Sequence, residues 1–148
     1  MDDNVILLVE DNPDDEALTL RALRRNNIVN QVVVVRDGSE ALDYLFSTGK
    51  YSGSERNLLP QVVLLDLNLP KVDGLEVLRQ VRADKRTKLL PVVILTSSNE
   101  EQDRFNGYDL GANSYVRKPV DFNQFMDAVR QLGMYWLVFN ERPPARRQ

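Results

Sequence analysis

The chain has 148 residues and a formal net charge of -3, and it contains neither histidine nor cysteine. Without these two residue types it has no disulfide, no histidine- or cysteine-ligated metal site, and no Ser-His or Cys-His catalytic pair. Its length, with 43% hydrophobic residues, predicts one globular domain with a proper core.

Four short apolar runs, rich in β-branched residues, predict strands that are buried on both faces of a parallel sheet. They cover residues 5–9, 32–35, 62–65 and 92–95, and a weaker fifth run covers residues 114–116. Segments with the apolar spacing of helices lie between these runs, and a last one begins near Asp121. This alternation predicts an α/β fold, a five-stranded parallel sheet with helices on both faces.

Local signals for helix boundaries agree with this pattern. Pro13 occurs where the first turn of a helix tolerates proline, and Gly38 and Gly74 occur where loops lead into helices. Phe105, Tyr108 and Leu110 have the apolar spacing of a fourth helix.

Polar residues directly follow four of the five predicted strands. Glu10 and Asp11 follow the first, Asp66 the third, Thr96 the fourth and Lys118 the fifth. Ligands of open α/β sheets bind beyond the carboxyl ends of the strands, so we expect these side chains to meet there. Three carboxylates in one place repel one another, and Lys118 and a divalent cation are the expected counter-charges. With only oxygen ligands available, Mg²⁺ is the metal that such a site favours. A carboxylate nucleophile beside Mg²⁺, a lysine and a hydroxyl is the set needed to form and hold an acyl phosphate, which indicates phosphoryl transfer to a carboxylate.

Rival nucleotide and phosphatase sites have less support. No GxGxxG or GxxxxGK[ST] pattern follows the first strand, which argues against a dinucleotide site and a P-loop. A haloacid-dehalogenase-type phosphatase would need an acid two positions after Asp66, and Asn68 stands there.

Four motifs occur in order at the strand ends. They are Glu10-Asp11, residues 64–70 (LLDLNLP) followed by Asp73-Gly74, Thr96-Ser97-Ser98, and residues 115–119 (YVRKP). Together they resemble the receiver domain of two-component response regulators, over about residues 5 to 139. The resemblance implies a flavodoxin-like (CheY-like) fold with strand order 2-1-3-4-5.

The same resemblance implies a role for each matching acid. Asp66 matches the aspartate that accepts the phosphoryl group. Asp11, Asp66 and the backbone carbonyl of Asn68 match the Mg²⁺ ligands, and Glu10 matches a second acid that acts on the metal through water.

Further positions match residues that respond to the phosphoryl group. Thr96 and Lys118 match the hydroxyl and the ammonium that bind phosphoryl oxygens. Asn68 and Ser98 match positions that tune dephosphorylation. Tyr115 matches the aromatic residue that switches with Thr96, and an ordinary half-buried aromatic is the alternative.

Apolar residues continue past the expected end of the last helix, and this cluster predicts a homodimer interface. Its members are Tyr135, Trp136, Val138 and Phe139. The alternative is that the extension folds back on its own domain. We expect residues 1–140 to form the receiver domain with its helical extension and residues 141–148 to form a flexible Pro/Arg tail, with no output domain.

The partner implied by the resemblance is a sensor histidine kinase, which supplies the phosphoryl group. The loop from Tyr51 to Pro60 and the aromatic-rich end resemble stand-alone regulators of bacterial and cyanobacterial phytochromes. The net charge predicts no DNA binding. The sequence shows neither a signal peptide nor an apolar span, so we expect a cytoplasmic protein without a membrane anchor.

Three hypotheses for function therefore remain. The first is a response regulator that is no enzyme beyond its own phosphorylation and dephosphorylation at Asp66. The second is an interaction module that works without phosphorylation. The third is a phosphohydrolase for small phosphate esters, against which Asn68 argues.

Overall fold

The structure is a computed structural model, and it describes residues 5–26, 30–52, 59–96 and 101–117 together with positions 123, 127, 130 and 131. Strands and helices alternate along these residues. They are β1 (Val5–Val9), α1 (Pro13–Arg25), β2 (Gln31–Val35), α2 (Gly38–Phe46), β3 (Val62–Leu65), α3 (Gly74–Ala83), β4 (Val92–Thr96), α4 (Glu101–Asp109) and β5 (Ser114–Arg117). A 3₁₀ turn at Gly49–Tyr51 follows α2.

The five strands form one parallel sheet with the order β2-β1-β3-β4-β5. This confirms the predicted α/β fold and the predicted strand order. The register pairs Val9 with Leu65 and Leu65 with Ile94, so β1, β3 and β4 end at nearly the same level. The residues that follow these three strands therefore start from neighbouring points of one edge.

A core lies on each face of the sheet, because successive strand residues point to opposite faces. One core packs Leu7, Val63 and Ile94 against residues of α2 and α3, such as Ala41 and Leu78. The other packs strand residues against α1, and its members are Ile6, Leu8, Val62, Leu64, Val93 and Leu95 with Ala22 and Leu23. Both faces are thus covered, which explains why the strand sequences are continuously apolar.

Short polar side chains cap the first three helices. Asn12 accepts hydrogen bonds from two N–H groups of α1, and Pro13 stands at the start of that helix. Asp37 caps α2 and Asp73 caps α3, each through the N–H three residues later. These caps satisfy donors that a helix leaves without internal partners, and they fix where each helix leaves the edge of the sheet.

The helix predicted from Phe105, Tyr108 and Leu110 is present as α4, but of these three residues only Leu110, just beyond its end, packs against the core. Phe105 is 64% exposed and Tyr108 is 50% exposed, although their spacing suggested burial. The residue of α4 that packs inward is Gly107, where an added Cβ would lie 2.7 Å from Cδ1 of Ile94. A glycine allows the helix to approach the sheet closely, and this approach leaves the two aromatic rings outside.

Two buried threonines differ in how their hydroxyls are satisfied, and the difference predicts opposite effects on stability. Both are fully buried. The Thr87 hydroxyl donates to the carbonyl of Val81 at 2.6 Å, whereas Oγ1 of Thr19 has no hydrogen-bond partner, alone among the buried side-chain oxygens of the described residues. Valine has nearly the shape of threonine. We expect Thr19→Val to raise the free energy of unfolding by about 1 kcal/mol and Thr87→Val to lower it by about 1 kcal/mol.

Urea unfolding of both variants measures this difference. A loss of stability in Thr19→Val equal to that in Thr87→Val would contradict the assignment of an unsatisfied hydroxyl.

Two further sequence predictions concern membrane anchoring and the C-terminal residues. No helix among the described residues is long and apolar enough to cross a membrane. The predicted tail, residues 141–148, and the cluster Tyr135, Trp136, Val138 and Phe139 lie outside the described residues.

Candidate functional site

Three carboxylates meet at the carboxyl edge of the sheet. Glu10 and Asp11 follow β1, and Asp66 follows the adjacent β3, whose end is tied to β1 by the Asp66 N–H bonding the carbonyl of Val9 at 3.1 Å. One carboxylate oxygen from each acid lies within 4.8 Å of the others. The structure thus brings together the three acids that the sequence placed at strand ends.

Burial makes this cluster suited to a divalent cation. Glu10 is 1% exposed and Asp66 is 7% exposed, while Asp11 is open to solvent. Buried carboxylates this close repel one another unless a positive charge lies among them. An all-oxygen set with one solvent-facing member matches the preference of Mg²⁺ and Mn²⁺ for oxygen ligands and retained water. The residues present therefore fit a divalent metal.

Thr96 and Asn68 hold one oxygen of Asp66 in place. The buried Thr96 hydroxyl donates to Oδ1 of Asp66 at 2.8 Å, and the Asn68 N–H donates to the same oxygen at 3.2 Å. Two donors on one oxygen fix the rotation of the carboxylate. The side chain of Thr96 thus points at Asp66.

The segment from Asp66 to Gly74, here called the β3–α3 loop, forms one wall of the site. Its base closes where the Gly74 N–H bonds the carbonyl of Leu67 at 3.0 Å. A Cβ on Gly74 would lie 2.3 Å from the carbonyl oxygen of Asp66, so only glycine fits there. The start of α3 therefore packs directly on the backbone of the candidate acceptor.

An open cleft of about 450 Å³ lies beside the acids. The loop side contributes Asn68 and Asp73, β1 contributes Asp11, and α4 contributes Asp103. Sequence reasoning missed Asp103 as a neighbour of the site, because nothing in its local pattern distinguishes it from a solvent-facing helix residue. Asp73 was recognised only as part of a motif, and its position before Gly74 is the signal of a helix cap.

Tyr115 lies on the same face of the sheet as Thr96. It pairs in register with Ile94, two residues before Thr96, and packs half-buried against the core of that face. Its ring centroid is 6.4 Å from that of Tyr108 in α4. The position is compatible with both interpretations of Tyr115, as a switch and as a packing residue.

Two predicted site residues cannot be placed. Lys118 and Ser98 both lie outside the residues that the structure describes. Their predicted roles stay predictions.

Comparison with known proteins agrees with this fold. The model of the response regulator receiver domain family matches residues 6–130. The chain is 42% identical, over 94% of its length and 87% of the relative's, to the probable methanogenesis regulatory protein FilR2 of Methanothrix harundinacea (strain 6Ac). It is 38% identical to the response regulator Rcp1 of Synechocystis sp. (strain ATCC 27184 / PCC 6803 / Kazusa), covering 95% of this chain and 94% of Rcp1.

Solved structures resemble the whole described fold. The phosphorylated cyanobacterial phytochrome response regulator RcpA superimposes with a TM-score of 0.86 at 41% identity, covering 95% of this chain and 99% of RcpA. The Mn²⁺-bound form of Rcp1 also superimposes with a TM-score of 0.86, at 37% identity, covering 95% of this chain and 99% of Rcp1.

Proposed function

This chain belongs to the response regulator receiver domain family, and on that premise we propose that Asp66 accepts a phosphoryl group from a sensor histidine kinase. The observation that carries the proposal is the position of Asp66. Its buried carboxylate lies within reach of two other acids at the sheet edge, and a buried hydroxyl fixes one of its oxygens. Receiver domains take their phosphoryl group from such kinases, and this chain has no histidine that could itself carry one.

In the proposed step, a carboxylate oxygen of Asp66 attacks the phosphorus of phosphohistidine. The new O–P bond forms as the P–N bond breaks, and the imidazole of the kinase leaves. Such a transfer needs mainly alignment and neutralisation of charge. The bonds from Thr96 and Asn68 supply the alignment of Asp66, and the Thr96 hydroxyl is close enough to contact the product.

Mg²⁺ is the metal that we propose for the site. Asp11, Asp66 and the backbone carbonyl of Asn68 would hold it, with Glu10 acting through water. When bound, it would neutralise the charge of the incoming phosphoryl oxygens. Receiver domains bind divalent metals, and the Mn²⁺-bound Rcp1 structure supports the same type of site here, because Mn²⁺ and Mg²⁺ prefer the same oxygen ligands.

The remaining roles are part of the same proposal. Lys118 pairs with a phosphoryl oxygen, Asn68 and Ser98 tune the loss of the phosphoryl group, and Thr96 acts with Tyr115 as the switch. Asn68 is exposed beside the acids, which puts it in the path of an attacking water. The signal leaves through altered protein contacts rather than through turnover of a substrate.

We further propose a kinase of phytochrome type and a homodimer. The kinase is suggested by the resemblance to RcpA and Rcp1, of which RcpA is a phytochrome response regulator. The dimer is suggested by the aromatic cluster after the last helix, and the exposed Phe105 and Tyr108 of α4 offer further apolar contact area. Light scattering across micromolar concentrations would give twice the monomer mass. We propose no DNA contact, because the net charge is -3. A cytoplasmic location stays a prediction of the sequence.

Intact mass spectrometry after incubation with Mg²⁺ and a small-molecule phosphodonor tests the central proposal. We expect one labile phosphoryl adduct per chain, and we expect it to be absent when the metal is chelated. Absence of any adduct would favour the interaction module. Multiple turnover of a phosphate ester without an adduct would favour the phosphohydrolase.

A further inference from the structure

The start of α2 lies directly against the tip of the β3–α3 loop. A Cβ on Gly38 would lie 1.7 Å from the carbonyl oxygen of Val72 and 2.8 Å from its Cβ, so no side chain fits at this contact. The Gly38 N–H also donates to the carbonyl of Pro70 at 3.4 Å. The start of α2 carries none of the expected site residues, but it contacts the loop that carries Asp66 and Asn68.

The loop tip has a backbone that needs such support. Lys71, between the two contacts, has a φ of 69°, which lies in the left-handed region that is unfavourable for residues other than glycine. The Val72 N–H bonds the carbonyl of Pro70 at 2.8 Å, which makes the turn tight. Nζ of Lys71 lies 3.7 Å from a carboxylate oxygen of Asp37, the cap of α2. A strained turn of this kind persists only where its surroundings hold it.

The same loop carries the metal-facing groups. Its first residue is Asp66, and two positions later Asn68 donates its N–H to Oδ1 of Asp66 and lines the cleft together with Asp11. Gly74 anchors the base of the loop against the carbonyl of Asp66. Because the base of the loop is anchored, a displacement of its tip must change the backbone of the residues between base and tip, which include Asn68.

We propose that Gly38 is a positioning residue for the metal site, acting through Pro70 and Val72 on the part of the loop that presents Asn68. The inference rests on the proposed function of the acids as a metal site. It assigns the start of α2 a part in the chemistry, since its contact with the loop tip supports the segment from which the Asn68 carbonyl would bind the metal. Groups that orient metal ligands typically contribute 10- to 100-fold in metal affinity.

Mn²⁺ titration of the full chain, followed by the electron paramagnetic resonance signal of free Mn²⁺, tests the inference. We expect Gly38→Ala to weaken Mn²⁺ binding by about 10-fold. We also expect the initial rate of phosphorylation by a small-molecule donor to need correspondingly more Mg²⁺ for half-saturation, with a maximal rate close to that of the wild type. A merely structural role of Gly38 would not raise the Mg²⁺ concentration for half-saturation while leaving the maximal rate unchanged.

Gly111→Ala is the matched control. Gly111 also requires glycine, with a φ of 99° and with an added Cβ 3.0 Å from Nε of Arg82, but it lies in the turn that leads into β5, at the opposite edge of the sheet. This variant should lose thermal stability and keep wild-type affinity for Mn²⁺. Should Gly38→Ala fail to fold, Val72→Ala loosens the same contact from the loop side, and it should weaken Mn²⁺ binding in the same direction.

Equal Mn²⁺ affinity in the wild type and in the folded variant at position 38 would overturn the inference. So would an equal loss of affinity in Gly111→Ala. Failure of the wild type to take up a phosphoryl group would instead refute the function proposed for Asp66, and the Mn²⁺ titration distinguishes that case because it needs no phosphodonor.

Discussion

Asp66→Asn should form no phosphoryl adduct and should still fold. The amide oxygen of asparagine has the shape and acceptor capacity of Oδ1, so it can keep the bonds from the Thr96 hydroxyl and the Asn68 N–H. The amide is not a nucleophile towards phosphorus, however, and the acyl phosphate cannot form. We expect complete loss of the adduct, with a free energy of unfolding within about 1 kcal/mol of the wild type.

Intact mass and urea unfolding measure the two halves of this prediction. Asp73→Asn is the control, because Asp73 lines the same cleft and serves as the cap of α3, a position where asparagine is as good as aspartate. It should form the adduct at wild-type yield. A persistent adduct in Asp66→Asn would place the acceptor elsewhere.

Arg82→Met should cause a large loss of stability, because Arg82 links three segments at the edge of the sheet away from the acids. Its guanidinium donates to the carbonyls of Gly111 at 2.9 Å, Lys88 at 3.0 Å and Leu90 at 2.7 Å. It also donates to Oδ1 of Asn113 at 3.0 Å, which itself accepts from the N–H that begins β4 at 2.8 Å.

Arg82 is partly buried, and this burial lowers the pKa of its guanidinium from the usual value. Methionine keeps the length and the apolar packing of the side chain but leaves four acceptors without this donor. We expect the free energy of unfolding to fall by about 3 kcal/mol. Chemical denaturation with urea measures it.

Arg79→Met is the matched control on the same helix. Arg79 donates two hydrogen bonds to Glu76, but the pair is exposed, and exposed pairs contribute little. We expect a change within about 0.5 kcal/mol. Losses of similar size in the two variants would mean that the partly buried hydrogen bonds of Arg82 contribute no more than a surface ion pair.

The architecture could be predicted from the sequence because parallel strands buried on both faces must be continuously apolar. The runs that became β1 and β3 have the predicted bounds, while β2, β4 and β5 extend by one residue at one end. The site followed from the same geometry. Glu10, Asp11, Asp66 and Thr96 meet because parallel strands end at one edge, so order along the chain was enough to place them together.

Contacts between distant segments were beyond the reach of local patterns. Arg82 finds its partners up to 31 residues away, and nothing in its own helix distinguishes it from the exposed Arg79. The contact of Gly38 with Val72 likewise depends on how α2 packs beside the β3–α3 loop. The sequence marked Gly38 as the start of a helix but not as a neighbour of the β3–α3 loop.

From the sequence by itself, the absence of histidine excluded an imidazole within this chain as phosphoryl carrier, and the acids at the strand ends indicated where a carboxylate acceptor would lie. Only the tertiary structure decided how that carboxylate is held. Burial of Glu10 and Asp66, the bond from Thr96, the support from Gly38 and the outward turn of Phe105 and Tyr108 all depend on packing between elements. Such packing depends on distances in space, which the spacing of residues along one helix or strand does not encode.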